Sequence, residues 1–161
     1  MMVRYSTSSV NGRSERESGT NVLFKTWLVS RSATALVDRA VAEAGLNADE
    51  FAIYSVLRVG PVTPTELATW MASPPTTISS SIKRLEARGH VTREANPDDR
   101  RSYRLALTTA GRRAHQRAHE LFLPALEAVE AALGKSEASA MRSLDSLRAA
   151  LDTVRSSTDA Q

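Results

Sequence analysis

The spacing of apolar residues changes character within the central stretch 63–108. Ile78, Ile82 and Leu85 recur at three- and four-residue steps, so a helix over 76–88 would place them on one inward-facing stripe. After this helix, apolar residues follow a period of two on both sides of a polar loop, which is typical of a half-buried hairpin. The pattern therefore predicts a short helix, a turn, a second helix and two strands.

Start and stop signals support these helices. Thr63 suits the N-cap of the first helix, Pro64 suits its first helical position, and Glu66 stands where a capping box needs a carboxylate. The prolines in the turn 72–75 cannot continue that helix, but they can begin the next one. Gly89 is placed to end the second helix.

Long amphipathic helices are predicted on both sides of this stretch, with fraying expected from Ser156 onward. Their apolar stripes are too long for one small core, so we expect them to pair with a second copy of the chain. The predicted fold is mainly α with a small β-hairpin wing. The predicted division is a flexible tail at 1–19, dimerisation helices at 20–46 and 109–156, and a winged helix-turn-helix at 47–108.

The outer face of the second helix and the loop of the hairpin suggest a surface for DNA. The segment from Lys83 to Arg104 holds seven lysines and arginines against four acidic residues. Short hydroxyls can reach base edges or phosphates, and cations can contact phosphate or guanine. An ordinary solvated helix would have a similar outer face, and the basic wing favours DNA over that alternative. The candidate contacts on the helix are Thr76, Thr77, Ser79, Ser80, Lys83 and Arg84.

Composition excludes several other kinds of site. The 161-residue chain has no cysteine, so disulfides, thiolate catalysis and cysteine-ligated zinc are ruled out. It also lacks a Gly-rich phosphate loop and a GxSxG nucleophile motif, so we predict no enzyme and no cofactor. No apolar run approaches the roughly 18 residues of a membrane span, and the N-terminus lacks a signal-peptide core. We therefore expect a soluble, cytoplasmic protein.

Taken together, these motifs resemble the MarR family of winged helix-turn-helix transcriptional regulators. The resemblance spans about residues 21–154. Three segments carry it: the wing signature Asp99-x-Arg101 followed by Leu107-Thr108 and Gly111, the stretch 83–91, and the stretch 61–68.

The resemblance implies a homodimer that binds a palindromic operator, most often as a repressor. It implies that Arg100 or Arg101 enters the minor groove at the wing tip, and that Asp99 holds the wing by pairing with an arginine. The sequence departs from the family at Ser80, where many members have a large or charged residue in the middle of the DNA-facing surface. Base preferences therefore cannot be transferred.

Family members often release DNA when a small aromatic molecule binds between the dimerisation helices and the DNA-binding lobe. On matching positions the resemblance implies Trp27, Arg31, Phe51 and Tyr54 as lining residues. The alternative is that the three aromatic residues simply form core where the long elements meet, because aromatic residues at helical spacing usually pack.

Two histidines raise a metal alternative. His115 and His119 are four residues apart on a predicted helix, so their rings share a face. Such a pair can bind Zn²⁺ if a further ligand converges, as in zinc-responsive members of the family. The alternative is a polar helix face without metal. A further alternative for the whole chain is a winged helix that binds only other proteins, which would have no need for a basic wing.

Overall fold

The computed structural model describes residues 21–159. The predicted tail at 1–19 lies outside them. The helices are α1 (Val22–Val41), α2 (Ala48–Val59), α3 (Pro64–Trp70), α4 (Pro75–Ala87), α5 (Thr109–Leu133) and α6 (Glu137–Asp159). The strands are β1 (Val91–Ala95) and β2 (Tyr103–Leu107). The prediction of a mainly helical winged helix-turn-helix with long terminal helices is confirmed.

Side-chain caps determine where several helices begin. Asn21 and Asn47 cap α1 and α2 by accepting from the backbone N–H groups of Phe24 and Glu50. The predicted capping box of α3 is complete, since Thr63 accepts from the Glu66 N–H and the Glu66 carboxylate accepts from the Thr63 N–H. These local bonds depend on residues three apart, which is why the sequence located them well.

Some boundaries differ from the prediction. The stop signal at Gly45 predicts a first helix that runs to about Ala44. Helix α1 instead ends at Val41, and residues 42–44 form a 3₁₀ turn that Gly45 closes with a φ of +71°. Helix α4 begins one residue early, at Pro75. The predicted fraying from Ser156 is wrong, because α6 remains helical to Asp159. Along α6, side chains such as Ser156 donate to carbonyl oxygens one turn back.

The core lies between α2, α4, the hairpin and α5. Its largest enclosed side chains include Tyr54, Ile53, Leu67, Leu85 and Leu105. The predicted inner stripe of α4 is part of it, with Ile78, Ile82 and Leu85 all buried. The hydrophobic gain from this stripe fixes the rotation of α4, so the opposite face is turned outward.

The hairpin is a two-stranded antiparallel sheet in which Val91 pairs with Leu107 and Ala95 with Tyr103. Val62, just before α3, adds a bridge to Leu105 through two backbone hydrogen bonds of 2.7 and 3.2 Å. This bridge joins the hairpin to the helix-turn-helix. Within residues 21–159, no helix is long and apolar enough to cross a membrane.

Candidate nucleic-acid interface

The outer face of α4 is polar and exposed. Thr76, Thr77, Ser79, Ser80, Lys83 and Arg84 all lie on it, whereas Ser81 faces inward. The Ser80 hydroxyl donates to the Thr76 carbonyl oxygen at 3.0 Å, so its proton is used within the helix. Its oxygen lone pairs stay available to accept a hydrogen bond from a base edge.

A buried carboxylate anchors the end of α4. Glu50 of α2 is 3% exposed, and its carboxylate accepts from the Arg88 guanidinium at 3.0 Å. The same carboxylate lies 3.9 Å from the Arg84 Nε, an ion pair too long for a hydrogen bond. The bond to Glu50 raises the pKa of Arg88, so this arginine stays charged. The sequence carries no signal for this role of Glu50, because its partner Arg88 lies 38 residues away along the chain.

A second tether joins α2 to the hairpin. The Tyr54 hydroxyl and the His90 Nδ1 are 2.7 Å apart in a hydrogen bond, and the two rings meet edge to face. Burial raises the pKa of Tyr54, the nearby Arg88 charge opposes that rise, and the Glu50 charge adds to it. The hydroxyl therefore stays protonated. Together with the Glu50 bond, this contact holds the junction between α4 and β1 against α2.

Arg93 ties the first wing strand to α4. Its guanidinium makes two hydrogen bonds to the Glu86 carboxylate, at 2.6 and 3.0 Å, and lies 4.4 Å above the centre of the Tyr103 ring. The bidentate bond raises the pKa of Arg93. The hairpin is therefore positioned relative to α4 by a side-chain contact as well as by the chain connection.

The wing loop is built by its own side chains. Buried Asn96 donates to the Ser102 hydroxyl at 2.7 Å and accepts from the Asp98 N–H at 3.2 Å. The Ser102 N–H and hydroxyl both donate to the Asp99 carbonyl oxygen. These bonds span only the loop itself, so the loop has a defined shape although it is exposed.

Within residues 21–159, the Asp99 carboxylate makes no hydrogen bond or ion pair with an arginine side chain, contrary to the implied pairing. Its carboxylate accepts from the Arg101 backbone N–H at 2.9 Å, in an Asx turn. The arginine–carboxylate pair of the wing is instead Arg104 with Asp98, at 2.6 Å. The reason is geometric: Arg104 lies on β2 and reaches back along the hairpin to Asp98, while Asp99 is used to shape the turn beside it.

Arg100 and Arg101 lie exposed at the tip of the wing. Within the described residues 21–159, neither guanidinium makes an intramolecular hydrogen bond or ion pair. Lys83 on α4 is also exposed and has no such partner in that part of the chain. The geometry thus presents three cations to solvent beside a polar helix face, on a frame held by Glu50, Tyr54 and Glu86.

The four implied effector-binding residues are not equivalent. Trp27 is 56% exposed and Arg31 is exposed, whereas Phe51 and Tyr54 lie in the core. Phe51 packs against Phe122 of α5 with ring centres 5.3 Å apart. The Tyr54 ring and hydroxyl are already used, as described above. Burial of Phe51 and Tyr54 agrees with the packing alternative for these two residues in the single chain.

Other residues line the larger cavities of the described chain. A cavity of about 590 Å³ lies between α3 and α6, with Trp70, Leu147 and Arg148 in its wall. A second, of about 530 Å³, is lined by Val56, Val59 and Trp70 among others. Neither includes Trp27, Arg31, Phe51 or Tyr54.

The histidine pair lies on α5 with its rings stacked, 6.1 Å between centres. The His115 Nε2 is 3.2 Å from the Ser55 hydroxyl, and its ring stacks on Phe51. Burial lowers the pKa of His115, and the neighbouring His119 and Arg58 add to the effect. Within the described residues, no group of three histidine, aspartate or glutamate side chains is arranged to hold a metal ion. His115 therefore has packing and hydrogen-bonding partners of its own.

Comparison with known proteins finds one family model and many solved structures of similar fold. A model of the MarR family matches residues 44–102, from the turn before α2 to the wing loop. The structure of the transcriptional regulator MosR from M. tuberculosis in complex with DNA has a TM-score of 0.73 and 27% identity, and the match covers 84% of this chain and 98% of MosR. A comparison with curated proteins found no match.

Two further solved structures share the fold. The repressor CouR bound to a 23-mer DNA duplex matches with a TM-score of 0.71 and 24% identity, over 89% of this chain and 99% of CouR. CouR from Rhodococcus jostii RHA1 is also known bound to p-coumaroyl-CoA. MarR from E. coli in its apo form matches with a TM-score of 0.66 and 21% identity, over 77% of this chain and 93% of MarR. MosR is described as a transcriptional regulator and CouR as a transcriptional repressor.

Proposed function

We propose that this chain is a MarR-family winged helix-turn-helix transcriptional regulator: a homodimeric repressor that binds a palindromic operator and is released by a small ligand. The match of a MarR-family model to residues 44–102 and the similarity to MosR support this proposal. Residues 47–108 bind DNA in this proposal. Residues 20–46 and 109–156 form the dimer. The observation that carries the proposal is the exposed surface of α4 and the wing, where Lys83, Arg100 and Arg101 have no intramolecular partner within residues 21–159.

In this arrangement α4 enters the major groove and the wing follows the neighbouring backbone. Thr76, Thr77, Ser79 and Ser80 approach base edges and phosphates, and Lys83 and Arg84 approach phosphates or guanine. The wing arginines enter the minor groove, where a narrow A·T-rich segment concentrates negative potential. Asp99 contributes by shaping the turn, since its carboxylate holds the Arg101 backbone N–H.

Dimerisation is supported by apolar side chains on the terminal helices. Leu23 and Trp27 of α1 are 59% and 56% exposed, and Met141 and Leu144 of α6 are 55% and 51% exposed. Monomeric soluble proteins rarely expose large contiguous apolar patches, and a second copy of the chain would cover such a surface. A second copy that covers them would place two α4 helices on one face, as a palindrome requires.

Release by a ligand is supported by the relative that binds p-coumaroyl-CoA. In the proposed dimer, the exposed Trp27 and Arg31 of α1 offer an aromatic ring and a cation to such a molecule. Phe51 and Tyr54 are buried in α2. In this proposal a ligand would act on DNA binding by shifting α2, which holds α4 through Glu50. The effector proposed is therefore a small aromatic molecule, with an acidic group favoured by Arg31.

Selection of bound fragments from genomic DNA by the purified protein tests this function. We expect one enriched palindrome whose half-sites are about one helical turn apart. In operator titrations at fixed salt, Arg101→Ala should cost at least about 1 kcal/mol per subunit, the lower end for a lost groove contact. Arg142→Ala removes the same charge from α6 and should change little. Absence of any enriched sequence, or equal loss in both variants, would contradict the proposal.

A further inference from the structure

Three charged side chains meet beneath the end of α4. The Glu50 carboxylate is enclosed, with its side chain only 4% exposed, while Arg84 and Arg88 are 56% and 42% exposed above it. Arg88 is bonded to the carboxylate at 3.0 Å, and the Arg84 Nε stays 3.9 Å away. The acid is thus hidden from solvent, and the two arginines that contact it face outward.

The two arginines differ in how firmly they are held. A carboxylate without water needs a hydrogen-bonded cation, and Arg88 fills that need. The Glu50 carboxylate attracts Arg84 only electrostatically, across a longer distance. One of the Arg84 NH₂ groups also donates a weak hydrogen bond to the Ser81 hydroxyl at 3.3 Å. Arg84 also lies on the DNA-facing side of α4. It can therefore be shared between an internal acid and an external phosphate.

We propose that Glu50 is a positioning residue that determines DNA specificity: it fixes the end of α4 through Arg88 and competes with the DNA backbone for Arg84. The inference rests on the proposed function, since it assumes that α4 faces DNA. Phosphate contacts are independent of sequence and dominate binding to random DNA. An acid that weakens one of them in each subunit lowers random binding, while contacts to base edges remain.

The same carboxylate keeps the hydroxyls of α4 in register with the bases. The Arg88 bond and the Tyr54–His90 bond fix both sides of the α4–β1 junction to α2. Without the Glu50 charge, Arg84 would turn fully to phosphate, and α4 could slide along the groove. Random DNA would then gain affinity while the operator gained less or lost some.

Glu50→Gln tests this directly, because the amide keeps the shape and one hydrogen-bond acceptor but removes the charge. Asp49→Asn is the matched control, since it removes an equal charge from an exposed neighbour on the same helix. Affinities for the selected operator and for random duplex are measured across a salt series. For Glu50→Gln we expect random-DNA affinity to rise about three- to tenfold, with a salt slope steeper by about 0.9 for each subunit. The ratio of operator to random affinity falls, and Asp49→Asn leaves it unchanged.

A double variant separates competition from simple structural support. If Glu50 withholds Arg84, adding Arg84→Gln to Glu50→Gln returns random-DNA affinity and salt slope to wild-type values. A purely structural role predicts instead a lower melting temperature and equal loss on both DNAs in Glu50→Gln. Should melts show that this variant does not fold, Glu50→Asp replaces it, because the shorter side chain withdraws from Arg84 and should lower the ratio in the same direction.

The results of these titrations distinguish failure of the Glu50 inference from failure of the proposed function. If the wild type binds a selected operator, and the folded Glu50 variant keeps the same ratio of operator to random-DNA affinity, the inference is overturned and the proposed function stands. A wild-type protein that selects no operator contradicts the proposed function and, with it, the inference. A lowered ratio that Arg84→Gln reverses supports both.

Discussion

Gly111 lies in the first turn of α5, where the chain passes closest to the start of the wing. A methyl group built on it would lie far inside van der Waals contact with the His90 carbonyl oxygen, 2.9 Å from the carbonyl carbon and 3.1 Å from Leu107 Cδ2. The carbonyl is backbone and cannot rotate away. It also accepts the Thr108 N–H at 3.0 Å, so moving it breaks a bond at the start of α5.

Two opposing effects decide whether Gly111→Ala raises or lowers the free energy of unfolding. Alanine favours the helix by up to about 1 kcal/mol. Overpacking against a fixed neighbour costs about 1–3 kcal/mol, and loss of the His90 hydrogen bond costs about 1 kcal/mol more. We therefore expect a net destabilisation of about 2 kcal/mol. For a chain of this size that corresponds to a melting temperature lower by about 4–8 °C.

Thermal and urea unfolding at one fixed protein concentration measure the effect of Gly111→Ala, since a dimer's stability depends on concentration. Gly60→Ala is the control, because its backbone is extended at φ 171° and nothing lies within 4 Å of the added methyl group. That control should be neutral or slightly stabilising. A Gly111→Ala variant as stable as wild type would refute the close approach between α5 and His90.

Three further predictions concern the reading surface, the dimer and pH. Ser80→Ala should change base preference, because it removes a hydrogen-bond acceptor from the middle of α4. Lys83→Ala should weaken binding to all DNA and reduce the salt dependence of binding. If both variants bind operator and random DNA as the wild type does, the docking of α4 is rejected. Deleting residues 136–161 should give an unstable or aggregated chain, and a folded, DNA-binding monomer by light scattering would reject dimerisation through these helices. The pKa of His115 is lowered in the folded protein, so the unfolded chain binds the proton more readily. The stability that neutral His115 contributes is therefore present above about pH 6.5 and is lost as pH falls. His115→Gln should flatten that acid-side loss in melts from pH 7.5 to about 5, and an unchanged pH dependence would show that another group is responsible.

The elements of this fold could be predicted because their signals are local. Thr63 and Glu66 are three residues apart, and the inner stripe of α4 follows from helical spacing alone. The two strands and their polar loop were equally clear from a period of two. These patterns also fixed which face of α4 points outward, since burying Ile78, Ile82 and Leu85 leaves only one rotation of the helix. The candidate DNA contacts on that face follow from the same argument.

Tertiary structure alone decided which charged groups pair. Glu50 meets Arg88 across 38 residues, and nothing in the spacing of either residue signals the contact. In the wing, the family resemblance implied that Asp99 pairs with an arginine, whereas in the structure Arg104 on β2 pairs with Asp98. The burial of Tyr54 against His90 likewise depends on how α2 crosses the α4–β1 junction. Periodicity determines which side of an element is buried, whereas ion pairs depend on side-chain reach between elements whose relative placement emerges only when the core packs.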